Sequence, residues 1–85
     1  MPVVHRFGPY QFFFYSHENR ATREPAHIHV RSAAGAAAFW LTPFHLRESA
    51  GYTPREIERI RRIVVMHRSE LLRHWHEYFD ERSGA

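Results

Sequence analysis

The 85-residue chain has no cysteine. That absence excludes a disulfide scaffold, a cysteine-ligated zinc finger and a thiol nucleophile, and it fits a reducing compartment, so a cytoplasmic protein is expected. Lysine is missing too, because all 12 basic residues are arginine. Set against nine acids they leave a formal charge of +3, with five arginines and three acids up to Thr53 and seven against six from Pro54 to Arg82. The excess is spread, and no segment forms a basic arm. An all-arginine complement suits bidentate contacts to phosphate or carboxylate. Codon usage in a GC-rich genome produces the same pattern and is the simpler reading. Long apolar runs are also absent. No stretch approaches the roughly 20 residues of a membrane span, and the opening MPVVHRFGPY holds no run of signal-peptide length. A soluble protein with no membrane partner is expected.

What is present is a folded composition, 44% hydrophobic and 15% aromatic, which excludes disorder as the main state. Neither half of so short a chain can bury a core of its own, so residues 1–82 form one domain, with a frayed end over 83–85. The first half has the period of strands. Val3-Val4 starts one, Gly8-Pro9 interrupts it, and Tyr10 to Ser16 (YQFFFYS) is aromatic on both faces. His17 to Pro25 is a polar hairpin tip. In Ala26 to Arg31, Ile28 and Val30 share one side while His27, His29 and Arg31 share the other. After a turn at Ser32 to Gly35, Ala36 to Leu41 returns with Trp40 opposed to Phe39 and Leu41.

The period changes after Pro43. The segment bracketed by Thr42-Pro43 and Gly51 reads as a short helix or an irregular connector. Thr53-Pro54-Arg55-Glu56 is a helix start, with a capping threonine, proline at the first position and a glutamate that closes a capping box. From there Ile57, Ile60, Val64, His67, Leu71, Trp75 and Tyr78 trace one stripe, widened by Ile63, Leu72 and Phe79. The expected fold is α+β: a small antiparallel sheet of three or four strands, then a short helix or connector, then one long amphipathic C-terminal helix packed on one sheet face.

Three groups of residues carry chemistry. His27 and His29 stand on one strand face, where two imidazoles can share a metal or a phosphate. A zinc site needs at least a third ligand, for which His5, His17, His45, His67 and Glu24 are the candidates, and none has diagnostic spacing. No metal and no cofactor are therefore expected. His67 lies in the helix stripe and should point at the sheet, towards a strand carbonyl or a tyrosine hydroxyl, while His74 and His76 flank Trp75 near solvent. The third group follows from the aromatic strands. One helix covers one sheet face, so whichever of the sets Tyr10, Phe12, Phe14 and Phe13, Tyr15 does not face it should lie beside His27, His29 and Trp40 on the other, and Phe13 and Tyr15 are the candidates carried forward. That face is either an interface for a partner or is covered by the N-terminal strand and the connector at 43–51. Pro2 resembles the base of N-terminal-proline tautomerases only in its position, and nothing else supports that activity.

Taken together, MPVV, the FFFYS strand, Glu24-Pro25-Ala26-His27-Ile28-His29-Val30, Phe39-Trp40-Leu41 and the late Leu71-Leu72, Trp75, Phe79 pattern resemble domain-of-unknown-function family 4160. The likeness runs from Met1 to Asp80. Where the family carries two prolines before the first histidine, Ala26 replaces the second. The resemblance implies a small bacterial or archaeal protein encoded beside another small domain, in an arrangement similar to toxin–antitoxin operons, and hence a protein partner from a neighbouring gene, a homo-oligomer, or both. No catalytic role comes with it. Two functions are carried forward: protein binding through Phe13, Tyr15, His27, His29 and Trp40, or metal-independent ribonuclease or RNA-binding activity. In the ribonuclease, His27 and His29 act as acid and base and Arg31 steadies the phosphorane.

Overall fold

The computed structural model describes residues 3–15 and 25–80. The expectations placed on Pro2, on His17 and Glu24 in the polar tip, and on the end 83–85 lie outside these residues. Five strands make one antiparallel sheet in chain order: β1 (Val3–Phe7), β2 (Tyr10–Phe13), β3 (His27–Ser32), β4 (Gly35–Leu41) and β5 (Phe44–Ala50). Gly8-Pro9 joins β1 to β2 through a two-residue turn rather than interrupting the pairing, and Phe7 lies opposite Tyr10. Gly8 has φ +57, the positive value such turns need at their first position.

The alternation expected of the strands sorts the side chains cleanly. Tyr10, Phe12, Phe14, Ile28, Val30, Ala37, Phe39 and Leu41 face the helices and are buried with Ile60, Ile63, Val64, Leu71, Trp75 and Phe79. Each large apolar side chain so removed from water contributes about 1.5–3 kcal/mol, which makes this layer the main source of stability.

Two parts of the expected fold are corrected. The sheet has five strands, because the segment read as a short helix or connector is β5, paired with β4 from Leu41↔Phe44 to Ala36↔Ala50. Only Phe44 and Leu46 pack on the core from this edge strand. A bulge where Ala38↔Glu48 gives way to Phe39↔Leu46 inserts Arg47 and breaks the period of two. Its far end is pinned by contact too close for a side chain. A Cβ on Gly35 would strike the Ala50 carbonyl oxygen, and one on Gly51 would lie 2.5 Å from the Ala34 carbonyl oxygen.

The second correction concerns the helix, which is not one long element. It comprises α1 (Pro54–Met66), α2 (Arg68–Trp75) and a π-helical turn (His76–Asp80). Thr53 caps α1 as expected, its hydroxyl accepting from the Glu56 N–H at 3.1 Å. The break falls at His67, where φ is −105° and ψ 13°. Side-chain spacing survives it, since the His67 N–H still donates to the Ile63 carbonyl and the Leu71 N–H to the His67 carbonyl. Anchors flank the break. The His67 ring packs on His5, and Arg68 Nε donates to the Leu41 carbonyl at 2.6 Å. Among the described residues no helix is long and apolar enough to cross a membrane.

Candidate functional site

The sheet face turned away from the helices is built from rows of cross-strand neighbours. Gln11, Arg31, Ala36 and Ala50 form one row, and Phe13, His29, Ala38 and Glu48 the next. His27, Trp40 and His45 form the third. The strand period alone places these residues on one side. β1 and β5 extend the sheet at its edges, so neither lies across this face.

Aromatic packing fills one half of the face. His29 stacks on Phe13 with ring centroids 5.4 Å apart and planes 19° from parallel, and Tyr15 meets His29 edge-on at 4.7 Å. The Arg31 guanidinium lies 5.1 Å from the Phe13 ring centre while its Nε donates to Gln11 Oε1 at 3.2 Å. Across the sheet the Arg47 guanidinium lies 5.0 Å from the centre of the Trp40 ring. Between these two groups the small side chains of β4 leave a hollow of about 320 Å³, bounded by Tyr15, His29, Ala36, Ala38, Glu48 and Ser49.

The two histidines of the motif differ sharply. Their rings are 5.2 Å apart, yet His27 is fully buried while His29 is only half-buried. The His27 ring sits between Trp40 at 5.4 Å and Trp75 at 5.0 Å. Its Nδ1–H donates to the Pro25 carbonyl at 3.0 Å, which fixes the ring's orientation. Among the other expected contacts, Tyr15 is 41% exposed, Trp40 half-buried and Arg31 exposed, whereas Phe13 is buried.

Of the residues considered as a third metal ligand, His45 joins the Trp40 row, but His5 and His67 lie on the helix side. Among the described residues no three metal-ligating side chains gather. His67 does face the sheet. It packs on His5 at 4.3 Å and on Phe7 at 5.8 Å, and its buried Nε2 has no hydrogen-bond partner, so that atom reaches neither a strand carbonyl nor a tyrosine hydroxyl. Glu70 lies between His5 at 3.5 Å and His74 at 3.9 Å. His74 is partly exposed and His76 exposed.

Sequence reasoning missed Arg47 and the hollow-lining Glu48 and Ser49, since all three depend on recognising β5. The alternation Phe44-His45-Leu46 was the available signal, and the bulge at Arg47 cut it short. No curated protein and no solved structure matches the chain. The family model of DUF4160, a domain of unknown function, matches residues 10–76. That span holds β2 to β5, both helices and every residue named above on the open face. The chain, with its His27-Ile28-His29 strand and Trp75 helix, therefore belongs to the DUF4160 family.

Proposed function

We propose that this protein is the binding component of a two-gene, toxin–antitoxin-like module in the cytoplasm, and that it grips a protein partner through the open sheet face. The observation that carries this reading is the group of Tyr15, His29 and Trp40. They present aromatic and imidazole surface, backed by buried Phe13, on the sheet face turned away from the helix layer, while the buried His27 ring beside them packs on Trp75 of α2. Partly exposed aromatics with arginine beside them are the residue types that dominate binding energy at protein interfaces. The two-gene setting rests on the family resemblance alone and is part of the proposal.

Co-expression with the neighbouring gene product, followed by co-purification, tests the proposal. Retention of the pair is expected, with Tyr15→Arg releasing the partner and the exposed Arg73→Glu on α2 leaving it bound. Separate elution of the two proteins across a range of salt concentrations counts against the reading. Sedimentation of the protein alone distinguishes a hetero-partner from a second copy of the chain.

The ribonuclease reading draws less support. It needs His27 at a phosphate, and that ring is enclosed by Trp40 and Trp75 with Nδ1 committed to Pro25. Its specific merit is Arg31 beside Phe13 and His29, where a base could stack and a phosphate pair. Single-stranded RNA incubated with purified protein should stay intact. Cleavage with a bell-shaped pH profile that His29→Ala abolishes would restore this reading above the first.

A further inference from the structure

On the helix side of the molecule, a groove of about 710 Å³ runs between the β1–β2 turn and α1. It shares no lining residue with the hollow on the open face. Phe7 and Met66 are the apolar surface it offers, 44% and 70% exposed, with Pro9 between the strands beside them. Arg55, Arg59 and Arg62 form its charged side. Spacings of four and three put these arginines on one stripe of α1, and four residues further on Met66 continues the same stripe. Glu58 is the one acid in the groove, and it is occupied by Arg61, whose Nε donates to it at 3.1 Å. Arg62 Nε also lies 3.6 Å from Glu58 on the exposed rim, so the groove carries three arginines against one acid, and Arg55 and Arg59 give it a net positive charge.

The length of the stripe identifies the occupant. From Arg55 to Arg62 the helix rises by about 10 Å, more than one carboxylate or phosphate can span. A row of acids on a second helix, repeated every three or four residues, matches both its length and its spacing. An apolar edge on that helix would then meet Phe7 and Met66. We propose that this groove docks an acidic amphipathic helical segment of a protein partner, its carboxylates paired with Arg55, Arg59 and Arg62 and its apolar edge against Phe7 and Met66. This surface is separate from the sheet face proposed above and stands or falls without it.

The test uses the full chain and a synthetic peptide of about 15 residues, long enough for a helix to begin to form in water, with glutamate on one face and leucine on the adjoining one. Binding is read by amide chemical-shift changes and by fluorescence anisotropy of the labelled peptide. The acidic peptide should bind, weaken as salt rises, and shift the amides of residues 7–10 and 55–66. Its lysine counterpart should not bind. Arg59→Glu with Arg62→Glu should weaken binding at least about tenfold, as reversal of paired interface charges does, and Met66→Ser should weaken it with the salt dependence retained. These side chains are exposed, and an unchanged circular dichroism spectrum verifies that the variants fold. Tyr15→Arg should leave binding untouched, which separates this groove from the sheet face. Equal binding of a scrambled-sequence peptide, indifference to the arginine reversals, or shifts confined to the sheet face would overturn the proposal. So would a preference for anionic phospholipid vesicles, or self-association that occupies the groove.

Discussion

The two faces of the sheet are both aromatic, yet they bury their rings by different means. On the helix side Phe12, Phe14 and Phe39 are covered almost completely by aliphatic and aromatic side chains from α1, α2 and the π-helical turn. On the open side Phe13 is covered by its neighbours on the sheet, chiefly His29, Tyr15 and Arg31. A face closed by another element spends its aromatic surface on stability. One closed, among the described residues, by polar and aromatic neighbours keeps rings at its rim that a partner can use: Tyr15 is 41% exposed while Phe14, one residue earlier, is buried.

The largest test of this contrast is Phe39→Ala. The ring is fully buried and stacks on Phe44 at 5.5 Å, so its loss should cost about 3–5 kcal/mol, a large part of the roughly 5–15 kcal/mol a domain has in total. Urea unfolding checks it, and a loss no greater than that of Tyr15→Ala would erase the difference between the faces. His27→Ala comes next, at about 2–4 kcal/mol from cavity and lost hydrogen bond together. His29→Ala should cost roughly 1 kcal/mol, the worth of an aromatic contact, while releasing the partner. Paired thermal melts of the two variants thus show whether one histidine is structural and its neighbour functional. Phe13→Arg, by contrast, confounds the two effects because that ring is buried.

Smaller effects sharpen the picture. Melting with and without EDTA should give the same Tm, since a histidine pair without a third ligand holds metal only weakly; stoichiometric zinc with a marked loss of Tm on chelation would overturn this. The least effect is expected at Glu58. Its hydrogen bond from Arg61, aided by the nearby charges of Arg61 and Arg62, lowers its pKa below the ordinary glutamate value. A lowered folded-state pKa contributes stability above the unfolded value and loses it as pH falls through the folded one. Glu58→Gln should therefore flatten only the acid limb of the stability profile, and only slightly, because the pair is solvent-exposed.

Much of this was legible in the sequence. Strand parity separated Phe13 and Tyr15 from Tyr10, Phe12 and Phe14, with the pairing of Phe13 opposite His29 supplied by the structure, and the Thr53-Pro54 cap with its apolar stripe located the helical half. What escaped has physical reasons. β5 packs on the core through two side chains only, and an inserted arginine erases its period, so an edge strand reads as a connector. The break at His67 is a change of two backbone dihedrals that leaves the side-chain stripe in register, and periodicity is blind to it. Burial of His27 depends on Trp75, 48 positions away in the chain, and no local pattern announces such a contact.

The order of the strands bears on how the chain comes to be folded. Every strand pairs with its immediate predecessor, so the sheet can assemble hairpin by hairpin with little loop-closure cost, the low-contact-order route to rapid folding. The helices come afterwards in the chain, and until they dock, Phe12, Phe14 and Phe39 stand bare on the sheet. Any stage at which the strands have paired and α1 and α2 have not docked is therefore a sticky half-sandwich, the kind of species that aggregation or chaperones claim.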